Sequence, residues 1–204
     1  MECSHVFQPL YLAIDIEILP QIFKKMNRII VEAPRLSLMI ERICHQLIEN
    51  HGDFSESCLV GIQPRGIYFS DRIHQRLVEM GFPNLKYGKL DVTFHRDDFR
   101  RRDTILVPHP IEMPFNVELQ KVILLDDVLY SGRTINAALN AIQHYGRPAK
   151  VELAVLINRR FNRDLPIDPD YVGLDVDTLD EAYVKVEWNA VHGNDRVVLM
   201  PTKE

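Results

Sequence analysis

Short runs of apolar residues, separated by polar loops, recur along this chain. Leu59–Ile62 and Val122–Leu125 are apolar over four positions, and Val151–Ile157 is a longer run rich in Val, Leu and Ile. Such runs are typical of strands that are covered on both faces of a parallel sheet, because every side chain then points into a core. The pattern therefore predicts buried parallel strands at these three places.

Other segments show the periods of half-buried elements. Leu90, Val92 and Phe94 alternate with polar residues, which predicts a strand with one wet face. From residue 35 onward, apolar residues recur at helical spacing and predict an amphipathic helix packed on the sheet. These helical positions are Leu38, Ile40, Ile43, Leu47 and Ile48. The order of elements predicts an α/β domain with a mainly parallel sheet flanked by helices.

A polar stretch from Asp97 to about Pro114 interrupts this order. A connection of that length inside a compact domain predicts a lid, a hairpin flap or a disordered segment. Its run of three basic residues, 100–102, is interpreted as a solvated charge run.

Composition limits the class of protein without identifying it. With 46% hydrophobic and 26% charged residues and a net charge of −5, the chain has the make-up of a soluble globular protein. No apolar run approaches the roughly 20 residues that cross a bilayer. Cys3, Cys44 and Cys58 are odd in number and lack metal-ligand spacing, and the histidines show no ligand pattern either. We expect reduced thiols in a cytoplasmic protein.

The residues after the run Val122–Leu125 carry the strongest chemical signal. Asp126 and Asp127 are expected at the carboxyl edge of the sheet, where two carboxylates can hold ribose hydroxyls or waters of a magnesium ion. In the turn at 130–134, Gly132 allows a ligand to approach the backbone, and the helix predicted to begin near Thr134 adds the positive end of its dipole. An acid pair or a Ser-Gly turn alone is more often an ordinary capped turn, but the whole string predicts a sugar-phosphate site.

A second loop follows the other short run. Residues Gln63–Gly66 predict a tight turn that opens a helix, and Arg65 supplies a charged fork suited to pyrophosphate. The alternative is a turn with a solvated arginine.

The amino-acid sequence of these loops resembles the motifs of a known family. Asp126-Asp-Val-Leu-Tyr-Ser-Gly-Arg-Thr134 is similar to the 5-phosphoribosyl-1-pyrophosphate (PRPP) motif of type I phosphoribosyltransferases, and specifically to that of the PyrR family. Cys58–Tyr68, Gly88–Asp98 and Val151–Ile167 resemble further segments of that family, although Pro64 stands where the family usually has Thr. The chain is thereby identified as a type I phosphoribosyltransferase fold with a flap and a small hood over the base site, placed in the segment from 158 to 166.

The resemblance implies an activity and a set of site residues. Uracil and PRPP would give UMP and pyrophosphate with Mg²⁺, held mainly through PRPP with the two acids as its outer contacts, and Asp126, Asp127 and Arg65 as the catalytic residues. Arg159 is implied as a nucleotide contact, with a surface arginine as the alternative. The implied ligand contacts are Pro64, Arg65, Arg96, Asp126, Asp127, Val128, Leu129, Tyr130, Ser131, Gly132, Arg133, Thr134, Arg159 and Val184.

Two alternatives stay open: an RNA-binding regulator of pyrimidine genes that responds to UMP, and a phosphoribosyltransferase for another base. The RNA alternative is weakened because Asp168 and Leu174 stand where the family often carries Arg and Lys, and phosphate backbones are bound chiefly by positive charge. Family members self-associate, so a homo-oligomer is expected. Residues 1–25 are expected to be an N-terminal extension ahead of a phosphoribosyltransferase domain at 26–204, with three alternatives open for it: a mis-called start that is not native, a flexible, disordered arm, or a real extension.

Overall fold

A computed structural model describes residues 27–95, 110–161, 163–177 and 182–200. Two expectations lie outside these residues: the N-terminal extension, and most of the flap with its basic run. The strands are β1 Arg28–Val31, β2 Ser57–Gln63, β3 Lys86–Asp91, β4 Lys121–Leu129, β5 Lys150–Arg159, β6 Tyr171–Val176, β7 Tyr183–Glu187 and β8 Arg196–Met200. The helices are α1 Ala33–His51, α2 Gly66–Glu79, α3 Arg133–Ile142 and α4 Asn189–His192, with short 3₁₀ turns at Thr93–His95 and Gln143–Tyr145.

The central sheet has five parallel strands in the order β3-β2-β4-β5-β6. Alternate side chains of β4 serve opposite faces: Ile123 and Leu125 join the core under α1 and α2, whereas Val122 and Leu124 join the core under α3. All four are fully buried, which confirms the prediction of a strand covered on both faces. The parallel α/β sheet flanked by helices is likewise confirmed.

The predicted long helix is confirmed as α1, with one error in its buried face. Ile40, Ile43 and Leu47 are buried, but the side chain of Leu38 is 70% exposed. Leu36 and Met39 are buried although they were not among the predicted positions, and Ile48 is only partly buried. Because a surface helix tolerates single exposed apolar residues, counting hydrophobic positions alone wrongly included Leu38 in the buried face.

The predicted strand at Leu90–Phe94 is shorter than its alternation indicated. β3 ends at Asp91, the chain turns into a 3₁₀ turn, and Phe94 is 64% exposed. Asp91, predicted on a wet face, is buried, and its carboxylate accepts a hydrogen bond from the amide of Thr93 at 2.7 Å. That side-chain-to-backbone bond offers the chain an alternative to the sheet ladder and ends the strand there.

A second, antiparallel sheet was not predicted. It has the order β1-β8-β7 and joins the first strand of the described chain to the last two. The described residues between β5 and β6 form no strand, and the strands of the accessory sheet come from distant parts of the chain. Sequence periodicity cannot reveal pairing between strands that are so far apart.

Burial also explains the thiols within the described chain. Cys44 and Cys58 are both buried and form no disulfide, and burial raises the pKa of each to about 12. Both thiols therefore stay protonated at neutral pH and are inert structural residues. None of the helices in the described ranges is long and apolar enough to span a membrane.

Candidate active site

The acid pair lies inside β4, because that strand continues four residues beyond the predicted end to Leu129. The last residue of β4 that pairs with β2 is Leu125, opposite Gly61, whereas Asp126 already pairs only with Val155 of β5. The acids therefore stand where β4 parts from β2, which itself goes on pairing with β3 as far as Gln63, and this separation opens a crevice beside β4. Ligands of open parallel sheets bind in crevices of this kind at the carboxyl ends of strands.

Asp126 is packed against the start of α2. A Cβ atom at Gly66 would come within 2.8 Å of the carbonyl oxygen of Leu125 and 2.9 Å of the Asp126 carboxylate, so only glycine fits there. The amide of Asp127 donates to the Asp126 carboxylate at 2.9 Å. Burial, and then the neighbouring Asp127, raise the pKa of Asp126 well above its usual value. The carboxyl group of Asp126 therefore favours its neutral form beside Asp127.

The raised pKa predicts a stability profile with a definite sign. An unfolded Asp126 loses its proton near its ordinary pKa of 3.8, while the folded chain keeps that proton to a higher pH. The free energy of unfolding should therefore fall as pH rises from about 4 toward the raised pKa, by at most about 1.4 kcal/mol per pH unit. Asp126→Asn cannot titrate and should remove this part of the slope. Urea unfolding of both proteins from about pH 4 to about pH 8 measures it, and equal slopes would contradict the assignment.

Arg65 stands across the crevice from the acids. Its Nε lies 4.0 Å from Oδ2 of Asp127, and its guanidinium donates a hydrogen bond to the hydroxyl of Tyr183. Burial alone would lower the pKa of Arg65, but Asp127 and the Tyr183 hydroxyl outweigh it and raise that pKa. The side chain is 55% exposed, so a permanent positive charge faces the opening of the crevice. The exposed Pro64 precedes it, in a cis peptide bond with Gln63.

The turn after β4 has the geometry of an anion-binding loop. Gly132 has a φ of 88°, in the left-handed region, and it caps α3, which begins at Arg133, one residue before the predicted start. The first amides of a helix lack partners within the helix and carry the positive end of its dipole. Arg133 turns away from this end, because its Nε donates to the carboxylate of Asp164 at 2.8 Å.

Two predicted base contacts have different surroundings. Arg159 is 3% exposed, and its guanidinium lies over the ring of Tyr130 at 3.9 Å from the ring centre, so it is not the surface arginine of the alternative interpretation. Burial lowers the pKa of Arg159. Val184 lies on β7 with its side chain buried in the hydrophobic core, which leaves only its main chain to meet a ligand.

The structure thus brings most of the predicted site residues into one region of the sheet edge. Arg96 lies outside the described residues. The sequence did not indicate three further side chains: Tyr183, which binds Arg65, and Asn158 and Arg163, which bind each other beside Tyr130. They come from β7, from the end of β5 and from the loop after it. Proximity across strands is not visible in the local pattern of a chain, and only the position of Asn158 directly after a buried run gave any signal.

Comparisons with known proteins agree with this geometry. Residues 27–190 match the family model described as phosphoribosyl transferase domain. A relative named Bifunctional protein PyrR from Halalkalibacterium halodurans is 40% identical over 176 residues, covering 85% of this chain and 97% of the relative. Another of that name, from Enterococcus faecalis, is 38% identical over 175 residues, covering 86% and 97%.

Solved structures give the same fold at low identity. A hypoxanthine-guanine-xanthine phosphoribosyltransferase superposes with a TM-score of 0.62 at 16% identity, covering 87% of this chain and 94% of its own. A hypoxanthine phosphoribosyltransferase from Staphylococcus aureus gives 0.62 at 13%, covering 88% and 94%. At such identities the likeness shows the fold alone.

The crevice beside β4, its acid pair and the glycine turn at the head of α3 define an enzyme of the type I phosphoribosyltransferase class. The match over 27–190 confirms that class. Within it, the chain belongs to the PyrR family, as the relatives that it matches over nearly their full length show.

Proposed function

We propose that this chain transfers the 5-phosphoribosyl group of PRPP to uracil and releases pyrophosphate. The observation that carries the proposal is that two buried acids at the end of β4 lead into a helix-capping glycine turn and have Arg65 4.0 Å from Asp127. PRPP needs an anchor for its 5-phosphate, acceptors for its ribose hydroxyls and a positive charge at its pyrophosphate. The glycine turn, the acid pair and Arg65 supply these three features. The choice of uracil rests on membership of the PyrR family.

Each part of the site has a role in this reaction. Ser131–Thr134 and the first amides of α3 anchor the 5-phosphate away from the reacting atoms. Asp126 and Asp127 receive the ribose hydroxyls and orient the sugar. A ring nitrogen of uracil attacks the anomeric carbon as the bond to pyrophosphate breaks, and the proton of that nitrogen is lost to solvent. Because the bond to pyrophosphate breaks first, positive charge develops on the ribose. The nearby acid pair stabilises that charge, and Arg65 faces the departing pyrophosphate.

The acid pair also fits a magnesium ion. Two adjacent buried carboxyl groups offer the hard oxygen ligands that Mg²⁺ prefers, directly or through its waters. We assign Asp126 and Asp127 as outer contacts of an ion carried mainly by the oxygens of PRPP. When bound, the ion would neutralise charge on the pyrophosphate leaving group.

A parallel assay tests the proposal. The full chain is supplied with PRPP and Mg²⁺ and offered uracil, hypoxanthine, guanine, xanthine or orotate, and pyrophosphate release is followed. Release with uracil alone is the expected result. Release with a purine or with orotate instead would support phosphoribosyl transfer but contradict uracil as the base. Release with none of the bases would contradict the whole proposal.

The alternative function is RNA binding, and the surface of α1 offers little support for it. The guanidinium of Arg42 donates to the main-chain carbonyls of Val172, at 2.9 Å, and Gly173 on β6, so it is engaged within the protein. Glu41 is held by Arg76 of α2 through two hydrogen bonds of 2.6 and 2.8 Å. We therefore propose that transfer is the main activity and that RNA is bound weakly.

A further inference from the structure

The loop that follows β5 is hydrogen-bonded to the turn that follows β4. The main-chain carbonyl of Ser131 accepts hydrogen bonds from the amides of Asp164, at 3.0 Å, and Leu165, at 3.2 Å. The guanidinium of Arg163 donates to the carbonyl of Tyr130, and Arg133 returns a hydrogen bond to Asp164. The segment Arg163–Ile167, which we call the clasp, thus contacts the backbone of two successive residues of the turn.

Apolar side chains of the clasp also lie against the turn, next to Gly132. A Cβ atom at Gly132 would lie 3.3 Å from Cδ1 of Ile167 and 3.4 Å from Cβ of Leu165. The glycine therefore faces the clasp directly, at the residue whose left-handed φ of 88° sets the direction of the turn. The conformation of the turn depends on the clasp as well as on its own sequence.

Arg163 connects the clasp both to the turn after β4 and to the end of β5. Its second nitrogen donates to the side-chain carbonyl of Asn158 at 2.6 Å, and the amide nitrogen of Asn158 donates to Asp175 at 2.8 Å. Burial lowers the pKa of Arg163, with the exposed Asp168 opposing that change. A half-buried guanidinium that bridges two carbonyl oxygens holds both in fixed positions, since its planar donors cannot rotate independently.

Tyr130 is consequently held at both of its ends. Arg163 binds its main-chain carbonyl, and Arg159 covers its ring. Both arginines belong to the end of β5 or the loop after it. The turn that follows β4 is therefore fixed in place by the neighbouring strand and its loop.

We propose that Arg163 is a positioning residue that sets the affinity of the turn Ser131–Thr134 for the 5-phosphate of PRPP, without touching the reacting atoms. This rests on the proposed function, in which that turn anchors the phosphate. Because the turn lies away from the anomeric carbon, loss of Arg163 should weaken binding of the phosphate end and spare the pyrophosphate end.

The test compares Arg163→Met with the wild-type full chain. We expect the KM for PRPP to rise about tenfold, which is the scale of one lost hydrogen bond to a charged donor, with kcat changed by less than about twofold. In calorimetric titrations, ribose 5-phosphate should bind about tenfold more weakly to the variant, whereas pyrophosphate should bind as it does to the wild type. A merely structural loss would weaken both ligands together.

Two control variants sharpen the comparison. Arg160→Met removes a neighbouring arginine whose partner, Asp177, is on the surface, and it should leave both affinities unchanged. Arg163→Lys should recover part of the ribose 5-phosphate affinity, because an ammonium keeps the charge but cannot match the rigid two-carbonyl fork. Full recovery by Lys would show that charge alone matters and would overturn the positioning role.

The outcomes separate the two proposals. If the wild-type chain binds neither ribose 5-phosphate nor pyrophosphate, the proposed function fails and the inference fails with it. If the wild type binds both and Arg163→Met binds them equally well, the inference alone is overturned. Equal weakening of both ligands in a folded Arg163→Met, with melting unchanged, also overturns it.

Discussion

Replacing Asp126 and Asp127 together by asparagine is expected to lower turnover at least about a hundredfold in a protein that still folds. The asparagines keep the shape of the side chains but remove the negative charge that stabilises the developing cation and the outer contacts of the magnesium ion. Folding should be preserved because burial already raises the pKa of Asp126 and favours its neutral form, which asparagine resembles. Steady-state kinetics with saturating PRPP and uracil measure the loss.

The control removes negative charge elsewhere. Asp53 and Asp177 are both exposed, and the pair Asp53→Asn with Asp177→Asn removes at least as much negative charge as the active-site pair, because Asp126 favours its neutral form. Its turnover should equal that of the wild type. Thermal unfolding followed by circular dichroism reports the fold of each variant. Near-normal turnover in a folded Asp126→Asn, Asp127→Asn protein would show that the two acids are not catalytic.

The buried strands and the two ligand loops could be predicted because their signals are local. Four apolar residues in a row define β4 whatever lies beside it, and Gly132 at the head of α3 has the left-handed backbone that its residue type favours. The end of β4 was misplaced because adjacent aspartates are rare in buried strands. Asp126 and Asp127 are nevertheless held in the strand, since each carboxylate accepts a hydrogen bond from the next main-chain amide.

The unpredicted features depend on contacts between distant segments. Tyr183 reaches Arg65 from β7, and β7 itself is paired with β8, which pairs in turn with β1 near the start of the described chain. Arg163 looked like one more basic residue in a polar loop, and only its two carbonyl partners distinguish it from the exposed Arg160. Residue type and spacing carry no information on such partners.

The protein is expected to bind a pyrimidine leader hairpin only weakly, in the micromolar range of non-specific binding at physiological salt. Arg42 is held against β6, His45 lies 3.5 Å from the acid Glu41, and the exposed Asp168 adds a negative charge ahead of β6. UMP should change the affinity little, because a ligand alters binding only through a difference between coupled states. Gel-shift titrations at several salt concentrations, with and without UMP, measure both quantities.

Restoring charge at Asp168 provides the decisive comparison. Asp168→Arg should strengthen RNA binding and steepen its dependence on salt, while uracil transfer stays unchanged. Leu174 is less suitable for such a change, because its side chain is half-buried and packs on the core beneath β6. Glu112→Arg is the control, since it makes the same charge change on an exposed residue bridged to β3, the opposite edge strand of the sheet, and it should affect RNA less. Nanomolar, UMP-responsive binding by the wild-type chain would contradict this prediction and establish RNA recognition as a second function.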